Sequence, residues 1–235
     1  MADHPVVSRE QWLEARRRLL AEEKQLSHQR EELARKRREL PWVAVEADYR
    51  FETAEGPASL AELFAGRSQL IVQHFMFAPD WEQGCPSCSF WADGYDGTTV
   101  HLAARDIAFV AVSRAPLAKL QAYAKRMGWG FRWVSSGTSG FDRDFGVQFE
   151  ADDVAAGPVD YNYGKNRFPT TDAPGISVFV KDEQGRVFHS YSCYARGLDM
   201  MNVAYQYMDL TPRGRDEQGL SYSMAWLRRH DQYEG

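Results

Sequence analysis

Apolar residues are sparse at the start of the chain and evenly spaced. Trp12, Leu19, Leu26, Leu33 and Leu40 recur every seven residues through a stretch free of Gly and Pro. Ser8 can cap the start of this run and Pro41 stops it, so the pattern predicts one long helix over residues 8–39. The second seam position of a heptad is filled by Arg16, Glu23, Arg30 and Arg37, which makes a free-standing two-stranded coil weak. The stripe suits a helical arm that lies on its own body or on a second copy of the chain, and periodicity leaves both open.

From residue 42 the texture becomes that of an α/β domain. WVAVEADYRFE predicts an early strand or hairpin, and SLAELF (59–64) a short helix closed by Gly66. QLIVQHFMF (69–77) is a nearly unbroken apolar run, as expected of a strand covered on both faces. A helix interrupted near Gly94 and Gly97 follows, then a buried strand IAFVAVS (107–113). PLAKLQAYAKRMG (116–128) is amphipathic, with Pro at its start and Gly at its end. FRWVSS (131–136) reads as a short strand. Residues 136–175 lack clear periodicity and predict an irregular insertion with one short helix, suited to walling a cleft. ISVFVKDEQGRVFHSYS (176–192) is a hairpin around Asp182-Glu183-Gln184-Gly185. The remainder predicts a helix over MMNVAYQYMDL, a polar turn, and a short helix around MAWLRRHDQY. Strand–helix alternation from residue 69 implies parallel neighbours with helices on the faces of one sheet. The expected organisation is an arm (1–40), an α/β domain (41–197) with its insertion at about 136–175, and a helical extension (198–235).

Composition adds exclusions. The 235 residues are 44% hydrophobic and carry a net charge of −5, which argues against nucleic acid or an anionic membrane as partner. No apolar run reads as a signal peptide or a membrane span. The reading is a cytoplasmic protein, and there three cysteines do not make a structural disulfide framework.

Two of those cysteines stand in Cys85-Pro86-Ser87-Cys88, between a strand and a helix. Unpaired N–H groups at a helix N-terminus stabilise a thiolate, and proline suits the first turn. A second thiol one turn on can resolve a mixed disulfide. Cys85 is therefore the candidate nucleophile and Cys88 the candidate resolving thiol. Pro86 and Trp81 flank them as candidate substrate-positioning residues, with Phe90 and Trp91 as further rim or core aromatics.

QLIVQHFMF, GCPSCSFWADG, SVFVKDEQGRVFHSYSCYARG, LTPRGRDE and RRHDQY together resemble the DUF899 family within the thioredoxin-fold superfamily. That resemblance implies a thioredoxin-like α/β sheet flanked by helices, enlarged in the manner of peroxiredoxins, and dithiol–disulfide oxidoreductase activity without an organic cofactor. Its partners would be a protein or small-molecule disulfide or thiol and a thiol reductant system. It also implies a cis proline before the strand facing the thiol loop, which Pro174 is placed to supply. Proline next to the first cysteine resembles glutaredoxin and DsbA loops and implies a potential above thioredoxin's about −270 mV, nearer about −200 mV. The sequence departs from the peroxiredoxin motif Pro-x-x-x-Thr-x-x-Cys: Pro79 is six residues before Cys85, and Glu82 stands where the threonine would be.

A non-catalytic reading stays open: a thiol sensor, or a zinc or cuprous copper site. Of His74, His101, His189 and Cys193, His189 is the preferred third ligand, giving Cys85, Cys88 and His189 as the alternative metal set. The bland reading of His74 is a hydrogen-bonded core histidine, and of Cys193 a small buried residue.

Overall fold

The structure is a computed structural model that describes residues 4–234. It divides into two compact units, one ending at Pro41 and one beginning at Trp42.

In the first unit, helix α1 (Arg9–Arg38) starts on Ser8. The Ser8 hydroxyl accepts from the Gln11 N–H at 3.2 Å, and the Gln11 side chain accepts from the Ser8 N–H at 3.0 Å. That reciprocal cap satisfies two of the donors a helix start leaves free. Arg35, Lys36, Arg37 and Arg38 fill the last turn, matching the negative end of the helix dipole. The stripe of Trp12, Leu19, Leu26, Leu33 and Leu40 stays between 44% and 50% exposed. Beside it, Arg16 and Glu23 pair with each other at 2.8 Å, so the second seam position remains polar.

The second unit opens with β1 (Val43–Ala44) and a hairpin of β2 (Arg50–Thr53) and β3 (Gly56–Ser59), followed by α2 (Leu60–Leu63). β4 (Gln69–His74) leads to α3 (Pro86–Ala92) and α4 (Asp96–Ala103). β5 (Ile107–Ser113) leads to α5 (Leu117–Met127), and β6 (Trp133–Ser135) follows. After α6 (Phe141–Asp144), α7 (Ala151–Ala156), β7 (Val159–Tyr161) and β8 (Gly164–Asn166) come the long hairpin β9 (Gly175–Lys181) and β10 (Val187–Tyr194), then α8 (Val203–Met208). One sheet has the order β1-β10-β9-β4-β5-β6-β2-β3. β4, β5 and β6 run parallel, and β9 and β10 continue the sheet antiparallel. A βαβαβ unit joined edge-on to an antiparallel hairpin is the thioredoxin-like arrangement, here extended at both edges.

Because side chains alternate along a strand, β4 feeds two cores. Leu70 and Val72 point to one, with Val110, Phe141 and Phe179; Ile71 packs on the other, with Phe75, Ala111, Leu120, Trp133 and Ile176. Leu70, Val72, Val110 and Phe179 are all fully buried, each stabilising the fold by roughly 1.5–3 kcal/mol. The thiols lie in the core built on Ile71.

Three expectations need correcting. Residues 136–175 contain two short helices and the β7–β8 hairpin rather than one helix, with a small core of Val147, Val159, Tyr161, Ala173 and Tyr194. The hairpin turn places Asn162 and Tyr163 at φ +54° and +61°, the geometry a two-residue hairpin requires. Tyrosine occupies the place where glycine would have announced that turn. Second, the single helix expected over 200–210 is split. A 3-10 segment, Ala195–Met201, ends at Asn202, whose side chain caps α8 by accepting from the Tyr205 N–H at 2.9 Å. Around MAWLRRHDQY only His230–Gln232 forms a 3-10 turn. Glu217 Oε1 holds the preceding chain, accepting from the Met224 N–H at 3.0 Å and the Trp226 indole at 2.9 Å. Third, no cis peptide bond occurs among the described residues, so Pro174 is trans.

Candidate active site

β4 delivers the chain to Phe75-Met76-Phe77, and the following loop folds back on this segment. The Cys85 N–H donates to the Met76 carbonyl at 3.1 Å. Lys119, from α5, donates to the carbonyls of Pro79 and Trp81 at 2.8 and 2.9 Å. Gly84 lies so close to the rings of Phe75 and Tyr123 that no Cβ fits there. Cys85 then takes the N-cap position of α3 with Pro86 in the first turn, and no side chain caps the helix. The Cys85 carbonyl accepts from both the N–H and the hydroxyl of Ser89, at 3.0 and 2.9 Å.

The two thiols have different surroundings. Cys85 is half-buried and Cys88 is 4% exposed. The Cys88 thiol beside it, then the N–H groups of Cys88 and Ser87, pull Cys85 down to about 7 against the opposing effect of burial. Burial first, then the Cys85 sulfur, pushes Cys88 well above the ordinary thiol range. The Met76 N–H, 3.4 Å from the Cys88 sulfur, opposes that rise. A thiolate near neutrality next to a buried protonated thiol is the division that exchange chemistry uses.

Pro174 stands at the same end of the sheet, since the strand register sets Gly175 opposite His74, the last residue of β4. Its carbonyl accepts from the Tyr161 hydroxyl at 2.7 Å, and the same hydroxyl accepts from the Ala195 N–H at 3.0 Å. Trp81, Phe90 and Cys193 pack half-buried against the core that holds Cys88. Trp91 is buried, its indole donating to the Leu198 carbonyl at 2.9 Å.

His189 lies elsewhere. Its ring packs on Phe145 and Phe179 at the other face of the sheet, and Nε2 is 2.7 Å from Ser192 Oγ. Cys85, Cys88 and His189 are therefore not brought together. Among the described residues no three His, Cys, Asp or Glu side chains are grouped to hold a metal ion. His74 is a core histidine, 1% exposed, 2.9 Å from Ser177 Oγ and stacked near Phe141.

Sequence reasoning missed Arg114 and Asp172. The guanidinium donates through Nε and Nη2 to the two Asp172 oxygens, each at 2.7 Å, and Asp172 is 5% exposed. Its negative charge is among the influences that raise Cys88. One signal was present: Arg114 directly follows the carboxyl end of a parallel strand, where open α/β sheets place their sites.

Residues 1–233 match the family described as a bacterial protein of unknown function, DUF899. The chain belongs to the DUF899 family. No curated protein matches it. Among solved structures, this DUF899 chain is similar to the bacterioferritin comigratory protein of Xanthomonas campestris, at 11% identity over 72% of this chain and 98% of that one, TM-score 0.48. The peroxidoxin BcpB of Mycobacterium tuberculosis is 16% identical over 72% and 97% of the two chains, TM-score 0.46. A hypothetical protein of Sinorhizobium meliloti 1021 is 16% identical over 63% and 68%, TM-score 0.38. Among the described residues no helix of the DUF899 chain is long and apolar enough to cross a membrane.

Proposed function

We propose that this chain is a dithiol–disulfide oxidoreductase. The observation that carries the reading is the unequal placement of the thiols: a half-buried Cys85 at the start of α3 and a buried Cys88 one turn on, surroundings that lower the first and raise the second. The Cys85 thiolate attacks one sulfur of a substrate disulfide, forming a mixed disulfide and expelling the other sulfur as thiolate. Cys88 then gives up its proton and attacks Cys85 Sγ. That closes the Cys85–Cys88 disulfide and expels the second substrate thiolate. Two electrons have passed to the substrate, and an external dithiol returns them to the protein. Pro174 and Trp81 border the thiols as the surfaces on which a protein or small-molecule disulfide would rest, and Pro86 keeps the first turn of α3 open to it.

The test is a redox titration of metal-free protein against glutathione, with free thiols trapped by alkylation and counted by intact mass. Paired, reversible oxidation of Cys85 and Cys88 is expected, together with loss of disulfide reductase activity in Cys85→Ser. A pair that resists oxidation, or a Cys85→Ser variant as active as the parent, refutes the reading.

A further inference from the structure

The backbone on both sides of Cys85 is held by one side chain that joins it from far along the sequence. Arg229 Nη2 donates to the Gly84 carbonyl at 2.7 Å, and Arg229 Nε donates to the Tyr123 hydroxyl at 2.8 Å. Ser89 Oγ lies 2.9 Å from the Tyr123 hydroxyl, and because Ser89 directs its single proton to the Cys85 carbonyl, Tyr123 is the donor of that pair. Ser89 in turn donates to the Cys85 carbonyl at 2.9 Å. One guanidinium thus reaches two successive carbonyls, the first directly and the second through two hydroxyls. The relay is shielded from water: Ser89 is 0% and Tyr123 5% exposed. Hydrogen bonds in series polarise one another and gain from such shielding.

The segment that carries Arg229 is itself tied to the helices around the thiols. Asp231 pairs with Arg126 of α5 at 2.7 Å. His230 Nδ1 lies 2.6 Å from Asp93, the residue that ends α3. Arg126 also donates to Gln83 at 2.9 Å. The anchor is therefore referenced to the same helices that orient Cys85, so a shift of the loop would have to break several contacts at once.

We propose that Arg229 is a positioning residue for Cys85: by fixing the carbonyls of Gly84 and Cys85 it holds the thiol at the amino end of α3. The importance of this for turnover rests on the proposed exchange reaction, whereas the positioning itself is read from the thiol alone. Loss of Arg229 frees the Gly84 carbonyl and weakens the hydroxyl relay, leaving the Met76 and Ser89 bonds to hold Cys85 alone, so that its sulfur can shift from the N–H groups that favour the thiolate.

The experiment measures the rate at which Cys85 reacts with iodoacetamide at neutral pH, resolved by peptide mass, in the full chain and in Arg229→Gln, Arg229→Lys and Tyr123→Phe. Thermal melts run alongside. If the ionisation midpoint moves up by about one unit, the thiolate fraction at pH 7 falls about fivefold, and the Arg229→Gln rate falls with it. The total weight of the reduced form then falls about 1.8-fold, so the Cys85–Cys88 couple becomes more reducing by about 8 mV, at 29.6 mV per tenfold. Arg229→Lys, which keeps the charge but not the two-way fork, is expected to react at an intermediate rate. A merely structural role would instead speed alkylation of all three cysteines as the fold loosened. Parent-like Cys85 reactivity in a folded Arg229→Gln protein overturns the proposal, as does a general acceleration, or full recovery in Arg229→Lys. If Arg229→Gln does not fold, Tyr123→Phe decides: its Cys85 slows, or the relay has no role. An ordinary thiol rate in the parent protein would count against the exchange reading instead, which separates the two failures.

Discussion

Replacing Gly84 by alanine adds one methyl group where no space exists. The new Cβ would lie 2.8 Å from Phe75 Cε1, 2.9 Å from Tyr123 Cε1 and 3.1 Å from Phe75 Cζ. Neither ring can withdraw easily. Phe75 is 2% exposed with its centroid 4.5 Å from that of Trp133. Tyr123 is held at its hydroxyl by Ser89 and Arg229 and at its ring by Phe77 and Trp129. Gly84 is not among the positive-φ residues, so the cost is steric rather than conformational. Overpacking of this kind costs about 1–3 kcal/mol. A value of about 2 kcal/mol lowers Tm by roughly 4–8 °C in a domain of this size. Gly97→Ala is the control. Gly97 lies inside α4, has nothing within 4 Å of its would-be Cβ, and has no positive φ. Alanine there should stabilise by about 0.5–1 kcal/mol. Circular dichroism melts of the reduced proteins read both. Gly84→Ala melting together with the parent would refute the claim that the two rings are fixed, and with it the close-packing account of the thiol loop.

Other outcomes follow from the site's electrostatics. The Cys88 thiol is the largest influence lowering Cys85, so Cys88→Ala should move the Cys85 alkylation midpoint up from about 7 toward the ordinary thiol value. A thiol reacts as its thiolate, whose share grows with pH; the variant should therefore be slower at neutral pH and converge with the parent above about pH 9, measured as iodoacetamide rates across that range. Asp172→Asn leaves the Arg114 guanidinium, only 16% exposed, without its countercharge. Removing one partner of a buried pair costs about 3–5 kcal/mol, reduced here to about 2 kcal/mol because Arg114 keeps some contact with water. Urea denaturation should show that loss, and an unchanged midpoint would mean the pair adds nothing to stability.

Much of this fold could be read from local pattern because its signals are local. The run around Leu70 and Val72 is apolar on both faces and became a strand with a core on each side. Ser8, Pro116 and Gly128 mark helix ends through bonds or dihedral angles that involve only nearby residues. The thiol pair was legible for the same reason: a strand, two cysteines and a proline specify a helix start within a dozen residues. What escaped notice was contact between distant polar groups. Arg114 meets Asp172 across 58 positions and Arg229 meets the Gly84 carbonyl across 145. A carbonyl acceptor has no sequence signature, so nothing in RRHDQY distinguishes an anchor from a solvated charge. His189 failed as a third ligand because β10 carries a bulge between His189 and Tyr191, which reverses the alternation between it and Cys193. β9 and β10 carry Cys193 to the thiol side, while His189 turns to Phe179 and Phe145 on the other. Proximity in chain order put the histidine on the right hairpin, but the extra residue of the bulge put its ring on the wrong face.

The distinction matters for chemistry, because the legible motif does not by itself produce unequal thiols. A helix start would favour a thiolate at Cys85 in any Cys-x-x-Cys loop. Keeping Cys88 protonated depends first on its burial and then on the Cys85 sulfur beside it, with the charge of Asp172 a smaller addition. Keeping Cys85 at the helix start requires a Gly84 that fits between two rings and a carbonyl pair held by Arg229. These supports come from the β4 exit, the insertion, α5 and the segment after α8, so the reactivity of two adjacent cysteines is a property of the whole second unit.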